Sequence, residues 1–113
     1  MYAVIFEVRP KPGRADDYFR LAAELRAELE QVDGFLSVER FQSLTDPDKV
    51  LSLSLWHDAA AVARWRAVAQ HRAAQARGRR DLFADYRILV AEVTRDYGLA
   101  DRAEAPQAPP EDV

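Results

Sequence analysis

Two histidines, His57 and His71, are the side chains of this chain whose ordinary pKa, about 6.5, suits proton transfer near neutrality. His71 is followed by Arg72, and an imidazole beside a guanidinium can accept a proton and steady the negative charge left behind. Arg87 is a second candidate for holding that charge. Trp56, Trp65, Phe83 and Tyr86 offer flat faces on which a planar molecule can stack. Together these residues fit general-base chemistry on a flat organic substrate. Cysteine is absent, which removes thiolate nucleophiles, cysteine zinc sites and iron-sulfur clusters. Glycine-rich phosphate loops, serine nucleophile elbows and metal-spaced clusters of histidine or carboxylate are missing as well.

Each candidate also has a simpler role. Trp65 stands at helical spacing from Val62 and Ala69, which is the pattern of a core side chain. Trp56 ends an apolar strand pattern and can close the core there. His57 precedes Asp58, a good helix cap, and fits the cap itself. His71 can pack near a helix end, and Arg87 and Arg95 can face solvent or a second subunit.

The elements that must position these residues are legible from periodicity. Residues 2–9 are β-branched and aromatic, with apolar side chains on both faces, and stop at Pro10, Pro12 and Gly13. A helix is predicted over about 15–31, from Tyr18, Leu21, Ala22, Leu25, Leu29 and Val32 at spacings of three and four, with Asp16 and Asp17 at its positive end. Gly34 breaks it. Residues 35–42 and 50–56 read as strands joined by a turn at Thr45-Asp46-Pro47-Asp48, an antiparallel pair. In the second, Leu51, Leu53 and Leu55 alternate with Ser52, Ser54 and Trp56, so one face is greasy and the other hydroxylated and aromatic. A second helix follows Asp58 and runs to Gly78, with a bend or interruption expected near Ala69. A last strand spans residues 83–93.

The order strand, helix, strand, strand, helix, strand implies an α+β, ferredoxin-like β-α-β-β-α-β fold, a four-stranded antiparallel sheet with both helices on one face. The other face is partly apolar and calls for cover, for which a homodimer is the simplest arrangement. Residues 1–98 form the expected domain, and residues 99–113, rich in proline, alanine and acids, form a tail expected to be disordered or loosely draped.

The 113 residues carry a net charge of -3, and residues 99–113 account for all of it, leaving the first 98 neutral. Arg64, Arg66, Arg72, Arg77, Arg79 and Arg80 fall in a stretch without acids, whereas residues 16–33 hold six acids. The neutral domain and the separation of aromatics from arginines argue against nucleic acid as a partner. The opening MYAVIFEVRP has neither a charged leader region nor a membrane-length apolar run, so a cytoplasmic protein without membrane contact is expected.

The segments GFLSVERFQSLTDPDKVLSLSLW, AVARWR with HRAAQARGR, and FADYRILVAEVTRDY resemble the antibiotic biosynthesis monooxygenase family, whose members form dimeric α+β barrels. The resemblance covers residues 2 to about 97. It implies a homodimer with an aromatic-lined pocket in each subunit. One branch of the family oxidises phenols and hydroquinones with dioxygen and no cofactor; another degrades haem.

In the haem-degrading branch an Asn on the first strand, a Trp on the second helix and an iron-binding His ten residues later do the work. Here those positions hold Phe6, Trp65 and Gln75. Phe6 cannot hydrogen-bond an iron-bound oxygen, and glutamine is a poor iron ligand. His71, one turn before Gln75, keeps haem as the alternative cofactor, with His71 as iron ligand. In the quinone-forming branch the Trp ending the third strand matches Trp56, while its Asn and Tyr fall on Ser52 and Val62. The resemblance therefore implies a cofactor-independent monooxygenase for a small aromatic substrate and O2. His71 and Trp65 are its expected catalytic residues; Phe6, Trp56, Arg72, Gln75, Phe83, Tyr86 and Arg87 are its expected substrate contacts. A haem protein and a non-enzymatic aromatic-ligand carrier are the alternatives.

Overall fold

The computed structural model describes residues 1–75 and 82–106, with the side chains of residues 70–75 outside that set. Strand β1 (Tyr2–Pro10) leads through a turn at Gly13 into helix α1 (Ala15–Leu29). Strands β2 (Phe35–Gln42) and β3 (Val50–Trp56) follow as a hairpin, then helix α2 (Ala59–Gln75) and strand β4 (Phe83–Glu92). The element order is the expected one. The strands form one antiparallel sheet in the order β2-β3-β1-β4, so the first strand sits in the interior and the last at an edge. Among the described residues α2 runs through Ala69 without interruption.

Local chemistry accounts for the joints. Asp58 caps α2: its Oδ1 accepts the backbone N–H of Ala61 at 2.8 Å, and its other oxygen lies 3.3 Å from His57 Nδ1. These bonds, the backbone one foremost, hold the Asp58 carboxyl below its ordinary range, and His57 belongs to the cap. Gly34 adopts φ +92°, and a Cβ placed on it would meet Ala61 Cβ at 2.5 Å. The start of β2 can therefore lie against the start of α2 only because residue 34 has no side chain. In the β2–β3 turn, Asp46 pairs with Arg9 of β1, and Ser43 Oγ accepts the Asp46 N–H.

The core lies between the sheet and the helices, in two clusters. One holds Val4, Leu29, Trp56, Ala61 and Val62; the other holds Val8, Tyr18, Ala22 and Val50. The alternation on β3 thus resolves in an unobvious way. Ser52, Ser54 and Trp56 face the helices, and the leucines face away from them. On that second face Leu51, Leu53 and Leu55 are joined, by register, by Ile5 of β1 and Leu89 of β4. Past β4, Val93 N–H bonds to Met1 O, and Arg102 stacks over Tyr97 at 5.4 Å in a local turn.

Candidate active site

Register places four side chains in one row across the helix-facing side of the sheet. Arg40 of β2 pairs with Ser52 of β3, Ser52 with Phe6 of β1, and Phe6 with Ile88 of β4. The row runs between the two apolar clusters and grades from cationic through hydroxyl to aromatic to aliphatic. At its apolar end Phe6 packs edge to face on Phe83 at 5.9 Å and on Tyr86 at 5.8 Å. Phe83 in turn meets Tyr18 of α1 at 5.8 Å. The helices do not cover the edge strand: Tyr86, Ile88 and Val90 are 59%, 46% and 46% exposed. The helix-facing side of the sheet is therefore less covered over β4 than over β3, whose inward residues Val50, Ser52, Ser54 and Trp56 are buried.

The second aromatic group lies deeper. Trp56 is fully buried, between Phe35 at 5.4 Å and Trp65 at 6.2 Å. Its indole Nε1 donates to Ser54 Oγ at 2.9 Å, and that hydroxyl lies 3.4 Å from Val4 O. A buried indole N–H needs such an acceptor. Trp56 is a wall of the core with its polar atom occupied, and half-buried Trp65 is the member of the pair with surface to present.

At the cationic end sits a pair that the sequence reading passed over. Tyr18 is 3% exposed, and burial pushes its phenol above the ordinary value of 10.0, opposed by a hydrogen bond from Arg40. Arg40 Nε is shut off from solvent and has no hydrogen-bond partner among the described residues. An Arg at the inward phase of β2 was the available signal. It was hidden because Phe35 and Phe41 suggest one phase of the strand and Leu36 and Val38 the other. The register irregularity between Phe35 and Ser37 adds to that ambiguity.

The structure thus brings Phe6, Phe83 and Tyr86 together, and separately Trp56 with Trp65. It does not bring Arg87 to them. Arg87 lies on the opposite face of the sheet, where its guanidinium meets Glu7 at 2.9 Å and holds that carboxyl below its ordinary range. The side chains of His71, Arg72 and Gln75 lie outside the described residues. Among the described residues no cluster of three or more His, Cys, Asp or Glu could hold a metal ion. Phe6, at the first-strand position of the haem-degrading branch, packs on Phe83 and Tyr86 and brings no hydrogen-bond donor for an iron-bound oxygen. No helix among the described residues is long and apolar enough to cross a membrane.

Comparison with known proteins agrees with this architecture. Residues 1–77, which contain Phe6, Arg40, Ser52, Trp56 and Trp65, match the sequence model of the family described as antibiotic biosynthesis monooxygenase. A relative from Pyricularia oryzae, named jasmonate monooxygenase ABM, is 46% identical over 94 residues. The match spans 83% of this chain but 44% of that protein, so the chain corresponds to less than half of its relative. Among solved structures, a protein from Deinococcus radiodurans ascribed to the same family superposes with a TM-score of 0.73 at 19% identity, over 88% of this chain and 98% of that one. PA3566 from Pseudomonas aeruginosa gives 0.67 at 23% identity, over 80% and 90%. These structural likenesses establish the fold, and the sequence matches establish descent. The chain belongs to the antibiotic biosynthesis monooxygenase family.

Proposed function

We propose that the chain is a cofactor-independent monooxygenase that oxidises a phenolic or hydroquinone-type organic substrate with O2 in a cleft on the helix-facing side of the sheet. The observation that carries this reading is its 46% identity to a relative named as a monooxygenase. The aromatic ledge of Phe6, Phe83 and Tyr86 supports it, because a ring lying there is apolar on one side and reachable by O2 from the open edge over β4.

The chemistry asks little of the protein. Loss of the phenolic proton makes the ring electron-rich enough to add O2 at carbon, giving a ring hydroperoxide. Loss of water from that hydroperoxide leaves the quinone. One oxygen atom enters the product, the other leaves as water, and the substrate supplies all the electrons. The protein must accept a proton, steady the oxyanion and keep bulk water out. We assign the base to His71, carried on α2, and the aromatic support to Trp65 on the same helix. A second copy of the chain would cover the leucine face of the sheet, making a homodimer.

Oxygen uptake by the metal-free protein tests the reading, with a panel of phenols and hydroquinones as substrates. The expected outcome is consumption above the blank, one labelled oxygen atom per product under 18O2, and a fall of about 10²- to 10⁴-fold in His71→Ala. No uptake with any member of the panel overturns it.

A further inference from the structure

We propose that Arg40 is the anion anchor of this cleft, and that the ligand it selects is an organic acid with its carboxylate on Arg40 and its apolar body laid along the row over Ser52 and Phe6 toward Ile88. The inference rests on the reading of the cleft as a substrate site, but it concerns recognition, and binding can be measured without turnover.

Three observations carry it. The first is the guanidinium itself. Among the described residues, Arg40 Nε is buried without a hydrogen-bond partner. Interior donors are almost always satisfied, and a guanidinium is never relieved by losing its proton. A donor left open in the free chain is the signature of a group that gains its acceptor from a ligand. The Nε–H with the neighbouring Nη–H forms the planar fork that matches two carboxylate oxygens.

The second is the neighbour. Tyr18 is buried, bonded to Arg40, and holds its proton more tightly than an ordinary phenol, so it brings a hydroxyl without a competing negative charge. The third is the row. Arg40, Ser52, Phe6 and Ile88 stand on four adjacent strands, so from the first to the last the floor spans about three strand spacings, roughly 14 Å. That floor is charged at its closed end and apolar at its open end. An elongated acid entering over β4 tail-last satisfies both ends, and a neutral molecule of the same shape leaves the cation unpaired. Arg9 and Arg87, the other guanidiniums on these strands, are on the opposite face and already bound, to Asp46 and Glu7.

The test compares matched probes by fluorescence titration of the full chain. The anionic probe is 1-anilinonaphthalene-8-sulfonate, the uncharged one is N-phenyl-1-naphthylamine, and 2-naphthoate and its methyl ester serve as competitors. The expected result for Arg40→Gln is a loss of roughly tenfold to a hundredfold in affinity for the sulfonate and for naphthoate, with the neutral probe and the ester changed less than about twofold. Arg40→Lys should restore only part, since an ammonium lacks the fork. Arg40→Met should keep or raise the thermal midpoint, because it removes an unpaired buried donor, while losing the anion preference.

Equal binding of acid and ester by the unaltered chain overturns the proposal. So does a parallel loss of both probes in Arg40→Gln, or a lowered midpoint in Arg40→Met, either of which assigns Arg40 to folding. A chain that binds acids through Arg40 yet consumes no O2 refutes the oxygenase reading and leaves this one standing.

Discussion

At the scale of single residues, the cleft shows how one burial decision alters chemistry. Tyr18 and Tyr86 are the same residue type, yet Tyr86 stands at the open edge while Tyr18 is sealed under α1 against Arg40. Burial penalises the phenolate, so the folded chain holds the Tyr18 proton past the point where the unfolded chain releases it. A group whose folded pKa is raised contributes stability that is complete below the unfolded value and is lost as pH rises through the folded one. Urea midpoints should therefore hold up to about pH 10 and fall above it, and Tyr18→Phe should flatten that fall. A tyrosinate absorbance titration in which every phenol ionises near 10 would contradict the assignment. Neither the sealed Tyr18 nor its partner was legible in the sequence. Tyr18 appeared there only as one apolar position of a helix, and Arg40 was not singled out at all.

At the scale of elements, the joints carry much of the specification. Gly34 is the clearest case, since two independent demands meet there: a left-handed backbone and a contact with α2 that excludes a side chain. The sequence marked this glycine as a helix stop, which is correct but incomplete. Gly34→Ala is expected to destabilise the fold by about 1–3 kcal/mol for the overlap with Ala61 alone, with the unfavourable φ adding to it. Gly13→Ala, where φ is +77° but no atom lies within 4 Å of the added Cβ, should cost less. Equal midpoints for the two variants in chemical denaturation would show that the approach to α2 is not tight. The Asp58 cap, by contrast, was readable in advance, because a cap depends on residues three positions apart and not on tertiary contact.

At the scale of the whole molecule, the sheet has one face under helices and one face of leucines. Leu51, Leu53 and Leu55 point away from the helices, with Ile5 and Leu89 alongside, and charged groups interrupt the apolar surface at Glu7 with Arg87 and Lys49, at Arg9 with Asp46, and at Glu39 opposite Leu53. A second copy laid on this face buries it, which is the physical ground for the proposed homodimer. Leu53→Glu, at the middle of the face and outside the cleft, should halve the mass seen by light scattering after gel filtration while leaving the helix and sheet signal in circular dichroism. An unaltered chain that elutes as a monomer at tens of micromolar would refute the dimer.

The sequence by itself determined the order and extent of the elements, the turn and cap chemistry, and the family, because these depend on spacings within a few residues and on segments read end to end. Only the tertiary structure decided which face of β3 looks inward, that Arg87 and Phe6 lie on opposite sides of the sheet, and that Arg40, Ser52, Phe6 and Ile88 share a row. The reason is that side-chain direction in a strand has a period of two, so its phase is set by pairing with strands distant in the chain. A serine and a leucine on adjacent positions are distinguishable at once. Which of them meets the helices is settled by the sheet.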